Sequence, residues 1–346
     1  MNFVEYLIVG DGYAGTFFAH QLIKNKKKFK LFSEGKKSAS HISAGVCNPV
    51  VLKRFNKIWK AEEELDYLHQ IFQEMEEYLG KNYLISSPVV RVFHDEEEKK
   101  SWLKKSEQPE LKPYLNQNIL HLKTVENPYG AASVNHSLRL NVAEYFHDFI
   151  NYLKRTESLE EECFDYHRLN LAEKKYKNIH FDKIIFAEGV AVNQNPFFNF
   201  VPVRPNKGHR LSVELSHPSE DFIIKKRFFL FPTSPNEYFY GATYDRENSQ
   251  LTVETSKVEE LKSSLQEIYS EDFRVKDVFV GFRATTPDRR PILGAHSQYS
   301  FLYILNGLGS RGALNGSFFS KTLFDFIENQ QELSPEIDVK RYFKHV

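Results

Sequence analysis

Glycines carry the first chemical signal in this chain. Gly10-Asp11-Gly12-Tyr13-Ala14-Gly15 follows the apolar run Val4-Glu5-Tyr6-Leu7-Ile8-Val9 and leads into helical apolar spacing through Phe17, Phe18, Leu22 and Ile23. A GxGxxG turn between a strand and a helix holds a dinucleotide. Gly10 allows the tight turn, Gly12 admits a pyrophosphate to the backbone, and Gly15 permits close helix–strand packing. The amides at the helix start, at Tyr13 and Ala14, then face the phosphates. A ribose hydroxyl pair asks for an acid at the end of the second strand, Phe29-Lys30-Leu31-Phe32. Ser33 and Glu34 both stand there, and Glu34 is favoured because a carboxylate accepts from both hydroxyls. On this motif alone a nicotinamide or a flavin dinucleotide fits.

A second glycine cluster, LNGLGSRGALNG (Leu305 to Gly316), places four glycines in twelve positions between the apolar run Phe301–Leu305 and helix-like Ser317–Ile327. Glycine at a helix entry costs conformational entropy, so its use there implies that backbone approaches something closely.

The elements that must position these turns follow from periodicity. Strands are expected at 4–9, 29–32, 89–93, 179–187 and 301–305, and helices at 16–24, 60–79, 142–153, 258–269 and 317–327. Between Arg210 and Tyr244 short alternating segments with Pro and Asn punctuation indicate an antiparallel sheet. The expected fold class is α/β with mixed α+β character: a Rossmann-like domain carrying an inserted antiparallel-sheet substrate domain. The boundaries are residues 1–80, 140–202 and 281–346 for the first, and 81–139 and 203–280 for the second.

At 346 residues the chain can bury a large core, and 41 % of it is hydrophobic. Its formal net charge is zero, which argues against a broadly basic nucleic-acid binder. No stretch reads as a signal peptide or a membrane span. Two cysteines, Cys47 and Cys163, form no CxxC, so a reducing, cytoplasmic setting is expected. No histidine spacing suits a metal, and none is expected. The runs Glu62–Glu64, Glu96–Glu98 and Glu160–Glu162 read as solvated faces.

Four further stretches resemble the D-amino-acid oxidase and glycine oxidase family of FAD-dependent oxidoreductases. They are Ala39-Ser40-His41-Ile42-Ser43-Ala44-Gly45, Phe186-Ala187-Glu188-Gly189, Val201–Gly208, and Gly281-Phe282-Arg283-Ala284-Thr285-Thr286-Pro287-Asp288-Arg289-Arg290-Pro291-Ile292-Leu293-Gly294. The resemblance extends from residue 4 to about 327 and is weak between roughly 50 and 135. It implies non-covalent FAD, held additionally by Ser40, His41, Ala44, Gly45, Gly189 and the turn Gly309-Ser310-Arg311-Gly312. It also implies oxidation of an amine or amino acid, with Arg283 anchoring the substrate carboxylate. Arg290 is an extra cation relative to the family pattern and would suit a dicarboxylate. The family's substrate-sheet tyrosine is replaced by Phe229, so Tyr240 and Tyr244 are the candidates to supply a hydroxyl. Cys47 reads as a small buried thiol.

Leu308–Gly312 and Phe239–Asp245 are similar to the FAD domain of the bifunctional tRNA 5-methylaminomethyl-2-thiouridine biosynthesis proteins. That implies a second reading, a tRNA wobble-uridine oxidoreductase, for which Lys24–Lys30 with Lys36, Lys37, Lys53 and Arg54 would contact phosphates. A third reading is a flavin-binding module without turnover. Oligomeric state is not legible.

Overall fold

The computed structural model describes residues 2–217, 219–248 and 250–345. One sheet is built on four parallel strands in the order Phe29–Phe32, Asn2–Val9, Ile179–Phe186, Leu302–Asn306. Leu159–Glu160 extends it in parallel at one edge, and Ile292–Ala295 closes the other edge antiparallel. The inner strands are apolar on both faces because both are covered: the long helices pack on one, and short helical turns and loops bearing Phe164, Val192, Phe198 and Val339 pack on the other.

Helix α1 (Tyr13–Lys24) leaves the sheet directly from the first glycine turn. It packs against α6 (Gly312–Glu328), and the two stack Tyr13, Phe17 and Phe18 into a core shared with α2 (Ala61–Leu79) and α4 (Val142–Arg155). Phe17 and Phe18 are fully buried, each worth about 1.5–3 kcal/mol against exposure.

The second sheet has seven strands in the order Phe273–Thr285, Arg204–Leu215, Glu237–Gly241, Phe229–Ser234, Ile223–Lys225, Val89–Val92, Ala131–Val134. It is antiparallel except where Ile223–Lys225 runs parallel to Val89–Val92. One face is covered by α5 (Thr255–Gln266); the other faces the nucleotide-binding turns. A small three-stranded ladder bridges the two layers, with Leu138–Leu140 between Val46–Cys47 and Leu84–Ile85.

Two expectations change. Glu96–Glu98 is the first turn of an unforeseen helix, α3 (Glu96–Ser106), capped by Asp95 and pinned by Glu98, which pairs with buried Arg91. In the run Glu62–Glu64, Glu64 is fully buried rather than solvated. Its spacing to Leu68, Ile71 and Met75 sets it on the apolar stripe of α2.

Candidate active site

The first turn has the close approaches that a dinucleotide cradle requires. Gly10 has φ +108°, and a Cβ there would lie 2.5 Å from the Ala187 carbonyl. A Cβ at Gly15 would lie 1.8 Å from the Gly10 carbonyl, so only glycine lets α1 leave the strand at this angle. Ser40 Oγ accepts from the Tyr13 amide at 3.3 Å and would meet a Cβ on Gly12 at 2.9 Å. The loop 38–45 therefore closes over the α1 N-terminus. Tyr13 contributes its backbone there, while its ring is core and its hydroxyl bonds Ser43 at 2.7 Å.

His41 accepts through Nδ1 from Ser38 and stacks on Phe146 at 4.2 Å. Burial lowers the His41 pKa, opposed by the Asp11 carboxylate 3.8 Å away. Gly45, at φ +65°, is pressed against the Leu140 carbonyl, which holds Ala44 and Gly45 beside the Leu138–Leu140 strand. At the strand end, Ser33 is buried and donates to Asp11 at 2.6 Å, while Glu34 points outward to Lys36 and the Cys163 thiol. Gly189 is left-handed at φ +58° and its carbonyl accepts from Asn306 at 2.9 Å. Glu188 before it is pushed up to about 7 by burial and accepts from Asn195 at 2.7 Å.

The second turn also packs within the chain. A Cβ on Gly312 would lie 2.9 Å from the Tyr13 ring, and one on Gly316 would lie 3.0 Å from Phe17. These glycines seat α6 on α1. Gly309, at φ +63°, donates its amide to the Ala284 carbonyl at 2.9 Å, so the turn rests on the end of the Phe273–Thr285 strand. Ser310 is exposed beside it. Arg311 turns its guanidinium to Glu64, 3.4 Å away. Burial pushes Glu64 up to about 7 despite Arg311, and its Oε1 has no partner.

Arg283 pairs in register with Asn206, two positions from the Gly208–Gly281 pair. Gly281 sits against Ala39 and Ile42 of the loop 38–45, so Arg283 shares the face turned to that loop. Its guanidinium lies over Gly208, donates to the Thr243 carbonyl at 3.1 Å, and has the Tyr244 ring 4.3 Å away. No carboxylate of the described residues pairs with it, and burial lowers its pKa without removing its charge. Tyr244, 63 % exposed, covers it from the solvent side.

Tyr240 corrects an expectation. It projects to the opposite face, is buried among Leu211, Leu261 and Leu265, and bonds Ser264 of α5 at 3.1 Å. Alternation gives the site-facing place to Phe239, stacked on Phe231 at 4.8 Å. Arg290 is also spent elsewhere: it covers the Trp59 ring at 4.1 Å and lies 3.5 Å from Glu336.

Sequence reasoning missed Arg139. Leu138 and Leu140 enter the core under α1, so Arg139 between them projects the other way, 4.8 Å from the Phe231 ring. The only local signal was the Leu-Arg-Leu alternation, which reads equally as a solvated strand.

The family model described as FAD dependent oxidoreductase matches residues 5–325, and the chain belongs to that family. Glycine oxidase from Geobacillus kaustophilus shares the fold at TM-score 0.81 and 17 % identity, over 100 % of both chains. Iminodiacetate oxidase from Chelativorans sp. BNC1 shares it at TM-score 0.78 and 17 % identity, over 98 % of each. The bifunctional tRNA 5-methylaminomethyl-2-thiouridine biosynthesis protein MnmC of Idiomarina loihiensis is 25 % identical over 151 residues. That match spans 41 % of this chain and 24 % of the relative's length. FAD is thus the dinucleotide, and the tight turns at Gly10, Gly12 and Gly15 fit its pyrophosphate. Among the described residues no helix is long and apolar enough to cross a membrane.

Proposed function

We propose that the protein oxidises the C–N bond of an amine whose carbon framework carries a carboxylate. The observation that carries this reading is Arg283: a desolvated guanidinium with no carboxylate partner, on the face turned to the cofactor loop. A planar fork of N–H donors that meets only neutral acceptors within the chain is a site for a carboxylate from outside it. Bound FAD supplies the two-electron acceptor for a hydride from the carbon beside nitrogen.

The protein's own part is orientation and charge. Arg283 fixes the carboxylate, the Thr243 carbonyl and the Tyr244 ring hold the guanidinium in plane, and Phe239 and Phe231 supply an apolar wall. The pyrophosphate and adenosine end belongs to Gly10, Gly12, the amides of Tyr13 and Ala14, Gly15, Ser40, His41 and Glu34. Ala44, Gly45, Gly189 and the backbone of Gly309, Ser310 and Gly312 flank the rest. Residues 1–80, 140–202 and 281–346 form the flavin-binding part of this reading, and 81–139 with 203–280 the substrate part. Both cysteines are free thiols, which supports a cytoplasmic setting.

The test is an anaerobic visible spectrum of the purified protein with amino acids and N-alkyl glycines. Bleaching by one compound supports the reading. Arg283→Leu is expected to retain FAD and lower kcat/KM by more than about 100-fold, the loss of a charged, bidentate contact. An unchanged kcat/KM sinks the anchor assignment.

A carboxymethylaminomethyl uridine of tRNA is the second reading, favoured by the match to MnmC. Against it, Lys24 pairs with Glu74, Lys27 with Glu5 and Glu328, Lys30 with Glu160, and Lys36 with Glu34, so much of the expected phosphate patch is neutralised. Micromolar, salt-dependent tRNA binding would revive it.

A further inference from the structure

Arg139 has no ion pair or hydrogen bond to any described residue, and its Nε is buried without a partner. It is half-buried in the gap between the Val46–Cys47 strand and the substrate sheet, where Val46 is its direct ladder neighbour. Ala44 and Val46, the end of the proposed cofactor loop, pack on the same cluster as Phe231 and Phe239. Steps of 4.8 Å from Arg139 to Phe231, 4.8 Å to Phe239 and 5.1 Å to Arg210 lay one continuous wall along the face that also bears Arg283.

Arg210 is committed: its Nε donates to the Ile42 carbonyl at 2.9 Å, and its plane lies 3.7 Å from Phe279. It ties the cofactor loop to the sheet. Arg139 holds nothing comparable. Contact with the Phe231 face offsets part of its desolvation, but a π-face takes none of the five N–H donors at the guanidinium edge. A partly desolvated charge whose buried Nε has no acceptor destabilises the protein unless a ligand completes it.

We infer that Arg139 is a second anion anchor of this site, and that the substrate is an amine bearing two carboxylates, one held by Arg283 and the other by Arg139. The inference rests on the carboxylate-anchor reading of Arg283. The sequence assigned such a role to Arg290, which the fold has instead given to Trp59 and Glu336. A monocarboxylate would leave the buried Nε of Arg139 without an acceptor, so preference for the diacid arises from the cost of leaving that donor empty.

The test is equilibrium binding of two unreactive acids of equal chain length, glutarate and pentanoate, to the flavin-loaded protein, read from the visible flavin spectrum. The unaltered protein is expected to bind glutarate at least about tenfold more tightly, as one charged hydrogen-bonded contact supplies. Arg139→Leu is expected to make the two dissociation constants equal while that of pentanoate stays within about twofold. Arg139→Lys, which keeps a charge without the fork, is expected to restore part of the preference and serves if the leucine variant loses flavin. Equal affinities in the unaltered protein, or a glutarate preference that survives both substitutions, overturn the assignment of Arg139. Binding of both acids that is lost together on Arg283→Leu leaves the first anchor standing whatever Arg139 does. If neither acid binds, the carboxylate reading of Arg283 fails, and this inference with it.

Discussion

Glu64 offers a sharp test of how the α2–α6 contact is balanced. It is fully buried on α2, and its Oε2 lies 3.4 Å from Arg311 while Oε1 has no partner. Desolvation outweighs the attraction of Arg311, so the carboxyl rises from 4.5 to about 7. Between these values the native state binds more protons than the unfolded chain, so stability falls as pH rises. Above pH 7 both states are ionised and the slope ends. Two and a half pKa units correspond to about 3 kcal/mol. Glu64→Gln keeps the shape and the neutral form at every pH. It is expected to match the unaltered protein near pH 4.5 and to exceed it by about 3 kcal/mol at pH 8, reached progressively across pH 5–7. Urea denaturation of both proteins at four pH values, with intact FAD, measures the difference. A difference that stays constant with pH would refute the reasoning, because it would mean the carboxyl titrates alike in both states. A variant less stable at pH 8 would show that Arg311 outweighs desolvation.

Gly15→Ala places a Cβ on the Gly10 carbonyl, where no side chain can yield, so the purified protein is expected to be insoluble or free of flavin by absorbance at 450 nm. Retention of full FAD content would show that the cradle relaxes. Tyr240→Phe loses only the bond to Ser264 and is expected to cost about 1 kcal/mol while kcat and KM stay unchanged. A large kcat effect would return that hydroxyl to the chemistry.

The parts legible in the sequence were those whose cause lies within a few residues. Gly10, Gly12 and Gly15 answer to one turn between one strand and one helix, and so the turn itself can be read without any tertiary knowledge. Tyr240 did not, because Phe239-Tyr240-Gly241 alternates whichever face is the site; only the docking of α5 against Leu211 and Leu261 decides it. Gly312 reads as a cofactor approach, but the ring atoms that it and Gly316 admit, those of Tyr13 and Phe17, stand about 300 positions earlier and left no trace in the local pattern. Glu64 was detectable: a glutamate four, seven and eleven residues before Leu68, Ile71 and Met75 breaks an apolar stripe. The adjoining Glu62 and Glu63 disguised it as a charged surface. Arg139 is the opposite case, since its meaning depends on Val46 and Phe231, both far away in sequence.

The strand order has a consequence for how the protein is made. Ile179–Phe186 lies at the centre of the parallel sheet, with Asn2–Val9 on one side and Leu302–Asn306 on the other. On a ribosome the first pairing is available early, but the second must wait for more than a hundred further residues. Through that interval the apolar Ile184–Phe186 end of the strand keeps one bare edge, open to pairing with a neighbouring nascent chain, while Lys175–Tyr176 covers only Ile179 and His180. The ledge on which α1 rests is also missing until α6 is synthesised, since Tyr13 and Phe17 pack against Gly312 and Gly316. The dinucleotide turn is therefore among the first segments translated and among the last to become rigid, so flavin capture falls at the end of folding.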